Sequence, residues 1–279
     1  VMAYNNAGFT PDGAGLHVNN WAVGLPILAS AFCGTLGFPV LLNLMRSWRM
    51  RRPPKRWSLH RKLTVTSTIC IVIASFTWFL LMEWNNKLLF AGDGIEPRLW
   101  HAMVAAVMPR SSGFDLSWMP GVSDATKVFL SIVMFIGGGS TSTAGGIRVT
   151  TFAVILLTCR AAFTGRHDIN AFHRRIHTQA VMTAVAVSTA CLMLVTVVSM
   201  ALMIITGCSL CDALFDTCSA FGLGGYSVGV ASESSPTVLY ILAATMFIGR
   251  LGPLTIAYAI SRPHNLEAVR YPTEQIVVG

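Results

Sequence analysis

The sequence predicts an all-α membrane protein that crosses the bilayer several times and repeats one helix–loop–helix unit. Three observations carry this. The chain is 53% hydrophobic but only 11% charged, with a mean hydropathy of +0.61, whereas soluble domains carry about 25% charged residues. Residues 21–45, 63–82, 128–147 and 176–211 contain no Asp, Glu, Lys or Arg, and about 20 mostly apolar residues suffice for one crossing. Backbone polar groups in lipid must pair within the protein, so such runs imply helices. The strands of a membrane barrel would be about half as long and would alternate polar with apolar residues. Third, a short glycine–aromatic segment recurs three times: Asn6-Ala7-Gly8-Phe9-Thr10, Ser111-Ser112-Gly113-Phe114-Asp115 and Leu223-Gly224-Gly225-Tyr226-Ser227.

The elements follow in chain order. The opening Val-Met-Ala-Tyr-Asn-Asn lacks a basic leader and a small-residue cleavage site, and the first glycine loop stands there without a helix before it. The run 21–45 supplies the helix after that loop. Arg46, Arg49, Arg51, Arg52, Lys55, Arg56, Arg61 and Lys62 then form a basic cluster with no acid. The run 63–82 is a full crossing. Residues 98–108 are too short to span and read as a re-entrant helix leading to the second glycine loop. The stretch 128–159 is interrupted by Gly137-Gly138-Gly139-Ser140-Thr141-Ser142-Thr143-Ala144-Gly145-Gly146, whose glycines and hydroxyls break a helix. A second basic segment holds Arg160, Arg166, Arg174 and Arg175. The run 176–206 is another crossing, residues 210–221 another re-entrant helix, and the third glycine loop precedes an apolar run over 236–261.

By the positive-inside rule the basic segments are cytoplasmic and the mixed connections 83–98 and 212–233 face outward. The glycine loops fall on the outer side, so the charge rule and the repeat agree. Concentrated in membrane-flanking loops, the +8 formal charge speaks against a nucleic-acid partner.

Glycine in those loops has a physical use. A protein that selects a dehydrated cation replaces its water with rings of backbone carbonyls. Turning successive carbonyls toward one axis demands backbone angles that glycine reaches cheaply. A short helix aimed with its carbonyl end at the axis adds partial negative charge. The competing reading, that the glycines only permit turns or close helix packing, weakens when the segment recurs three times at nearly constant spacing.

These residues resemble the Trk, Ktr and HKT potassium-uptake family. The matching stretches are Tyr4-Asn5-Asn6-Ala7-Gly8-Phe9, Arg110-Ser111-Ser112-Gly113-Phe114, the nine residues 219–227, the ten residues 246–255 and, most strongly, the nineteen residues 134–152. The ending, residues 270–279, also looks like the family's C-terminus. The resemblance implies a potassium-channel-like, pseudo-four-fold arrangement of helix–pore loop–helix repeats around one pathway. Residues 1–50 are then the end of a second repeat, 51–62 a cytoplasmic linker, 63–165 a third repeat with a broken helix, 166–262 a fourth, and 263–279 a cytoplasmic tail. On this reading the chain is N-terminally incomplete, and one more glycine loop is expected upstream.

The resemblance further implies a selectivity filter at Asn6, Ala7, Gly8, Phe9, Ser111, Ser112, Gly113, Phe114, Leu223, Gly224, Gly225 and Tyr226, with K+ held at the backbone of Gly8, Gly113 and Gly225. It implies a gating loop at Gly137–Gly146, a pore barrier at Arg250, and a buttressing role for Asp216 behind the last filter loop. The family's usual Thr-Ala is Ser111-Ser112 here, and its usual Thr-Val is Leu223-Gly224. The resemblance implies K+ as the transported ion and no cofactor bound by this chain. The implied setting is the lipid of a bacterial inner membrane, as a homodimer with a cytoplasmic nucleotide-binding regulatory subunit.

A charge inside a span costs about 2.5–3.5 kcal/mol and calls for an interior partner, so Arg250 either faces inward or snorkels to an interface. Gly137–Gly146 lacks the Lys-Ser/Thr of a phosphate loop, and a plain packing face is its other reading. Cys208, Cys211 and Cys218 have no fourth ligand for zinc and read as thiols or one disulfide. An enzyme would need converging groups, yet His60, His167, His173 and His177 sit with the basic segments. The alternative function is a secondary cation transporter, sodium- or proton-coupled, with broken helices, although its inverted repeats are not what these same-direction units suggest.

Overall fold

A computed structural model of the chain describes residues 2–6, 21–50, 57–90, 94–110, 113, 118–140, 142–165, 168–172, 174–231 and 235–252. Ala7, Gly8, Phe9, Ser111, Ser112, Phe114, Thr141, His167, His173, the linker residues 51–56 and the tail 263–279 lie outside the described residues.

Ten helices carry the described fold: α1 (Met2–Asn5), α2 (Trp21–Leu36), α3 (Phe38–Arg49), α4 (Leu59–Glu83), α5 (Ile95–Val107), α6 (Asp124–Ile136), α7 (Val149–Phe163), α8 (Thr178–Thr206), α9 (Leu210–Gly222) and α10 (Pro236–Leu251). α4 and α8, with 25 and 29 residues, are long and apolar enough to cross a membrane, at about 37 and 43 Å by helical rise. α8 leaves Met182, Leu192, Met193, Val197, Met200 and Ile204 exposed; water tolerates no apolar face that long, and lipid does.

The boundaries have local causes. Ser58 caps α4 by accepting the Arg61 N–H at 3.4 Å. Ser209 and Asp212 cap α9 reciprocally, the Asp212 N–H donating to Ser209 Oγ at 3.2 Å and Ser209 Oγ donating to Asp212 Oδ2 at 2.7 Å. α9 ends in a Schellman motif, with Gly224 N–H to Ser219 O at 2.7 Å and Leu223 N–H to Ala220 O at 3.3 Å. The short helices fall where the sequence places them, and the stretch 128–159 is broken between α6 and α7.

Two features differ from the sequence reading. The run 21–45 is no straight span: α2 and α3 meet at 105°. Gly37 takes φ 88, and Pro39 has no N–H to give the Thr35 carbonyl; that carbonyl instead accepts the Gly139 N–H at 2.8 Å. The α7–α8 connection also holds a small antiparallel ladder, β1 (Asn170–Ala171) with β2 (Arg174–Arg175).

The two basic segments come together at one end of the molecule. Leu63 at the start of α4, Ala153 of α7, Ala171 of β1 and Ile176 before α8 share one apolar cluster, and Lys62 Nζ lies 5.8 Å from the Phe172 ring. At the other end of α4, Glu83 is buried and accepts from Asn86 Nδ2 at 2.6 Å, from the Ser123 N–H at 3.1 Å and from Ser123 Oγ. Nearby on that side, Lys127 at the start of α6 pairs with Asp212 at 3.0 Å.

The main core surrounds the short helices α5 and α9. α9 packs against α6, α8 and α10, and α5 against α4. Phe79, Trp100, Trp118, Phe215, Phe221 and Tyr226 share one buried cluster.

Candidate functional site

The second and third glycine loops each follow a short buried helix end. α5 closes through a 3₁₀ turn over Met108–Arg110, all of it buried, and the last turns of α9 are buried from Phe215 to Gly222. Of the second loop Gly113 is described, at φ 62. In the third loop Leu223 takes φ 56 and Gly225 φ 77. The chain leaves the helix at Leu223, and Leu223 and Gly224 form the Schellman closure of α9, so Gly225 is the first residue of this loop beyond that closure.

Gly113 and Gly225 face one another. A Cβ added to Gly225 would stand 2.9 Å from the Gly113 Cα, so two loops from different units meet backbone to backbone. Tyr226 is buried with its ring 6.4 Å from Trp118, itself edge-on to Phe79 at 5.4 Å. Behind the same loop Asp216 is buried, accepting from Ser227 Oγ at 2.7 Å, the Val228 N–H at 3.0 Å and the Ala231 N–H at 3.1 Å. It is the shared acceptor for the residues that follow Tyr226. Asp216→Ala should therefore lower the stability of the full-length protein by roughly 3 kcal/mol, because buried donors lose their acceptor, with Asp216→Asn falling between. Thermal unfolding in detergent measures this; an unchanged midpoint for Asp216→Ala would remove the buttress.

The loop between α6 and α7 touches the approach to all three glycine loops. Thr143 Oγ1 accepts from Asn6 Nδ2 at 2.9 Å and lies 3.2 Å from the Tyr4 carbonyl and 3.3 Å from the Gly34 carbonyl. The Gly137 carbonyl accepts from Arg110 Nε at 3.2 Å and Nη2 at 2.9 Å. The Gly146 N–H donates to the Phe221 carbonyl at 3.2 Å. The loop is further held by Gly139 N–H to Thr35 O at 2.8 Å, Val149 N–H to Gly138 O at 2.9 Å and Ile147 N–H to Phe135 O at 2.9 Å. Arg148 Nη1 donates to the Ala144 carbonyl at 2.8 Å. Gly137 is required by its fold: φ is +60 and a Cβ would collide with the Gly145 carbonyl.

Arg250, near the end of α10, donates through Nη1 to the Thr143 carbonyl. The structure thus joins Asn6, Thr143 and Arg250 in one chain of contacts. The residue before it, Gly249, packs on the Phe221 carbonyl, and Gly34 of α2 packs on the Tyr4 carbonyl. In both cases the carbonyl lies four residues before the loop glycine, Gly225 and Gly8 respectively, so the same contact recurs ahead of two glycine loops.

Sequence reasoning did not single out Arg110. It is 1% exposed and ties the second glycine loop to the broken helix. Its signal was available: a lone charge between an apolar helix and a glycine loop. Among the described residues no group of His, Cys, Asp and Glu is arranged to hold a metal ion.

Comparison with known proteins points one way. The family model described as TrkH, cation transport protein, matches residues 2–268. The Ktr system potassium uptake protein B of Bacillus subtilis (strain 168) is 36% identical over 282 residues, spanning 100% of this chain and 62% of that protein. The potassium/sodium uptake protein NtpJ of Enterococcus hirae is 30% identical over 287 residues, again with 100% of this chain and 62% of the relative. This chain thus spans less than two thirds of the length of these relatives. The crystal structure of the potassium transporter TrkH from Vibrio parahaemolyticus superimposes with a TM-score of 0.76 over 93% of this chain and 56% of that one, at 17% identity, a likeness of fold.

Proposed function

The chain belongs to the TrkH cation transport family, and from that premise we propose that it lines the ion pathway of a membrane potassium uptake system. The observation that carries the reading is the α6–α7 loop, hydrogen-bonded to the approaches of all three glycine loops while Gly113 and Gly225 meet in front of it. One segment so placed senses every loop of the pathway at once.

In this reading the residues around Gly8, Gly113 and Gly225 form the filter, and their carbonyls replace the water of K+. Residues 63–165 and 166–262 are the third and fourth repeats, and 1–50 closes the second. Gly137–Gly146 is the gate. Arg250 lends it a fixed positive charge, which raises the barrier to any cation behind the filter; its bond to the Thr143 carbonyl must break for the loop to move aside. The Ktr name of the relatives speaks for assembly with other components of a system, and we extend it to a second copy and a nucleotide-binding regulatory subunit on the face that carries the basic segments.

The test is rubidium and sodium flux in proteoliposomes of the full-length protein. Rubidium flux should exceed sodium flux by about tenfold or more, as carbonyl filters achieve, and Arg250→Ala should raise resting flux while keeping that order. Equal fluxes would remove potassium selection. Flux that follows an imposed sodium or proton gradient rather than voltage would favour a coupled transporter, the reading that the broken helices α2–α3 and α6–α7 also support.

A further inference from the structure

A second polar feature lies away from the glycine loops, where α3 meets the start of α4. The 105° turn at Gly37 carries α3 out of line with α2, so a spanning α2 leaves α3 lying across the membrane face. Phe38, Leu42 and Met45, at the i, i+4, i+7 spacing of one helical face, are exposed, and Trp48 is 87% exposed. The basic residues Arg46 and Arg49 occupy the last turn. Apolar anchors with arginines beside them mark a helix that sits in the headgroup layer.

Beside the apolar face, Asn43, Arg46 and Ser47 line a cavity of ≈ 380 Å³ that Trp57 and Ser58, just before α4, and Arg61 in its first turn complete. Among the described residues no acid lines it. Arg61 is 7% exposed. Its Nη1 donates to the Asn43 carbonyl and to Ser47 Oγ, both at 2.8 Å, and its guanidinium lies 4.1 Å from the Trp57 ring centroid. Yet its Nε and the Trp57 indole Nε1 are buried with no acceptor among the described residues. Buried donors are normally satisfied. Unpaired donors, a second arginine at the rim and the N-terminal end of α4 together call for a compact anion with several oxygens. The apolar face next door sets it at headgroup depth, where basic pockets take lipid phosphates.

We propose that the α3–α4 cavity binds the phosphate of an anionic phospholipid, with α3 seated in the same leaflet. This rests on the reading above only in taking the chain as membrane-embedded with its basic end at a leaflet surface. The site would make the conformation of α3 depend on lipid composition. Through the Thr35 carbonyl at the α2–α3 bend, which holds the Gly139 N–H, that dependence reaches the α6–α7 loop.

The experiment titrates the full-length protein in detergent with phosphatidylglycerol, phosphatidylcholine and glycerol 3-phosphate, counting bound species by native mass spectrometry. Phosphatidylglycerol should bind in preference to phosphatidylcholine, and Arg46→Gln should weaken it by about fivefold, the weight of one basic residue at a lipid surface. Trp57→Phe, which removes one donor while keeping a ring under Arg61, should weaken it as well; neither variant touches the Arg61 bonds that hold α3 to α4. Equal binding of both lipids, or unchanged phosphatidylglycerol binding in both variants, would overturn the proposal. Displacement by equimolar glycerol 3-phosphate would assign the cavity to a soluble phosphate compound instead. Loss of a co-purifying protein with lipid binding intact would assign it to a protein partner. Failure of rubidium selectivity with arginine-dependent lipid binding intact would remove the potassium reading and leave this site standing.

Discussion

Gly225→Ala should reduce rubidium uptake by the full-length protein to background while leaving the protein in the membrane. Two costs coincide at this position. Its φ of 77 lies where an L residue is strained by about 1–2 kcal/mol, and the added methyl would meet the Gly113 Cα at 2.9 Å. That neighbour is backbone and cannot swing aside as a flexible side chain would. The two loops must therefore part, and any carbonyl ring they share loses its spacing. Gly113→Asp should be as severe for another reason: Asp adopts left-handed backbone more readily than Ala, but it sets a carboxylate beside the backbone carbonyls of the proposed filter. Gly113→Asn separates the two effects, since it keeps the shape without the charge and should retain more flux than Asp. Proteoliposome flux, normalised to protein that elutes as wild type on gel filtration, decides the matter. Wild-type flux in Gly225→Ala and Gly113→Asp would make these glycines structural.

The parts of the fold legible in the sequence are those that apolar length determines. α4 and α8 stand where uncharged runs exceed the thickness of a bilayer, and α5 and α9 where shorter half-apolar segments precede a glycine. The break between α6 and α7 was legible because helix propensity collapses over 137–146. Directions were not legible. The run 21–45 has the composition of one span, and composition carries no angle; the bend needed the Gly37 and Pro39 pair to be read as punctuation, together with the Gly139 N–H that takes the carbonyl Pro39 leaves over. Long-range pairing was equally hidden. Asn6 and Thr143 meet across 137 positions, a contact that no local pattern encodes.

The candidate site divides in the same way. Glycine and a lone arginine in an apolar run announce themselves, so Gly113, Gly225 and Arg250 were named from the residues and the resemblance. Arg61 was read as one more charge of a cytoplasmic basic cluster, whereas it is buried against α3. Its burial follows from the α2–α3 bend, which folds α3 back over the start of α4, so a missed angle became a missed environment. The third glycine loop begins with a Schellman closure at Leu223 and Gly224, which no residue announces because the usual glycine at the left-handed position is here a leucine.

Arg110→Met should loosen the α6–α7 loop without unfolding the helices around it. The arginine is buried and gives two hydrogen bonds to a single acceptor, the Gly137 carbonyl, at 3.2 and 2.9 Å. That carbonyl belongs to the residue that caps α6. Bonds from a charged donor contribute about 1.5–3 kcal/mol each to a buried acceptor, and methionine fills comparable space with no donor. The expected result is faster hydrogen exchange over Gly137–Gly146, with the central amides of α8 unchanged. Arg110→Lys should fall between, since an ammonium on a flexible stem cannot reproduce the fixed two-pronged donor. Unaltered exchange in Arg110→Met would mean that Thr35, Phe221 and Phe135, which hold the loop through their carbonyls, fix it without help. If exchange rises and resting rubidium flux rises with it, the residue next to the second glycine loop is holding the gate shut. Filter and gate would then be coupled through one side chain, because any shift of Gly113 that drags Arg110 also pulls on Gly137. If exchange rises and flux does not, the loop can loosen without opening, and the contact of Arg250 with the Thr143 carbonyl is the next one to remove.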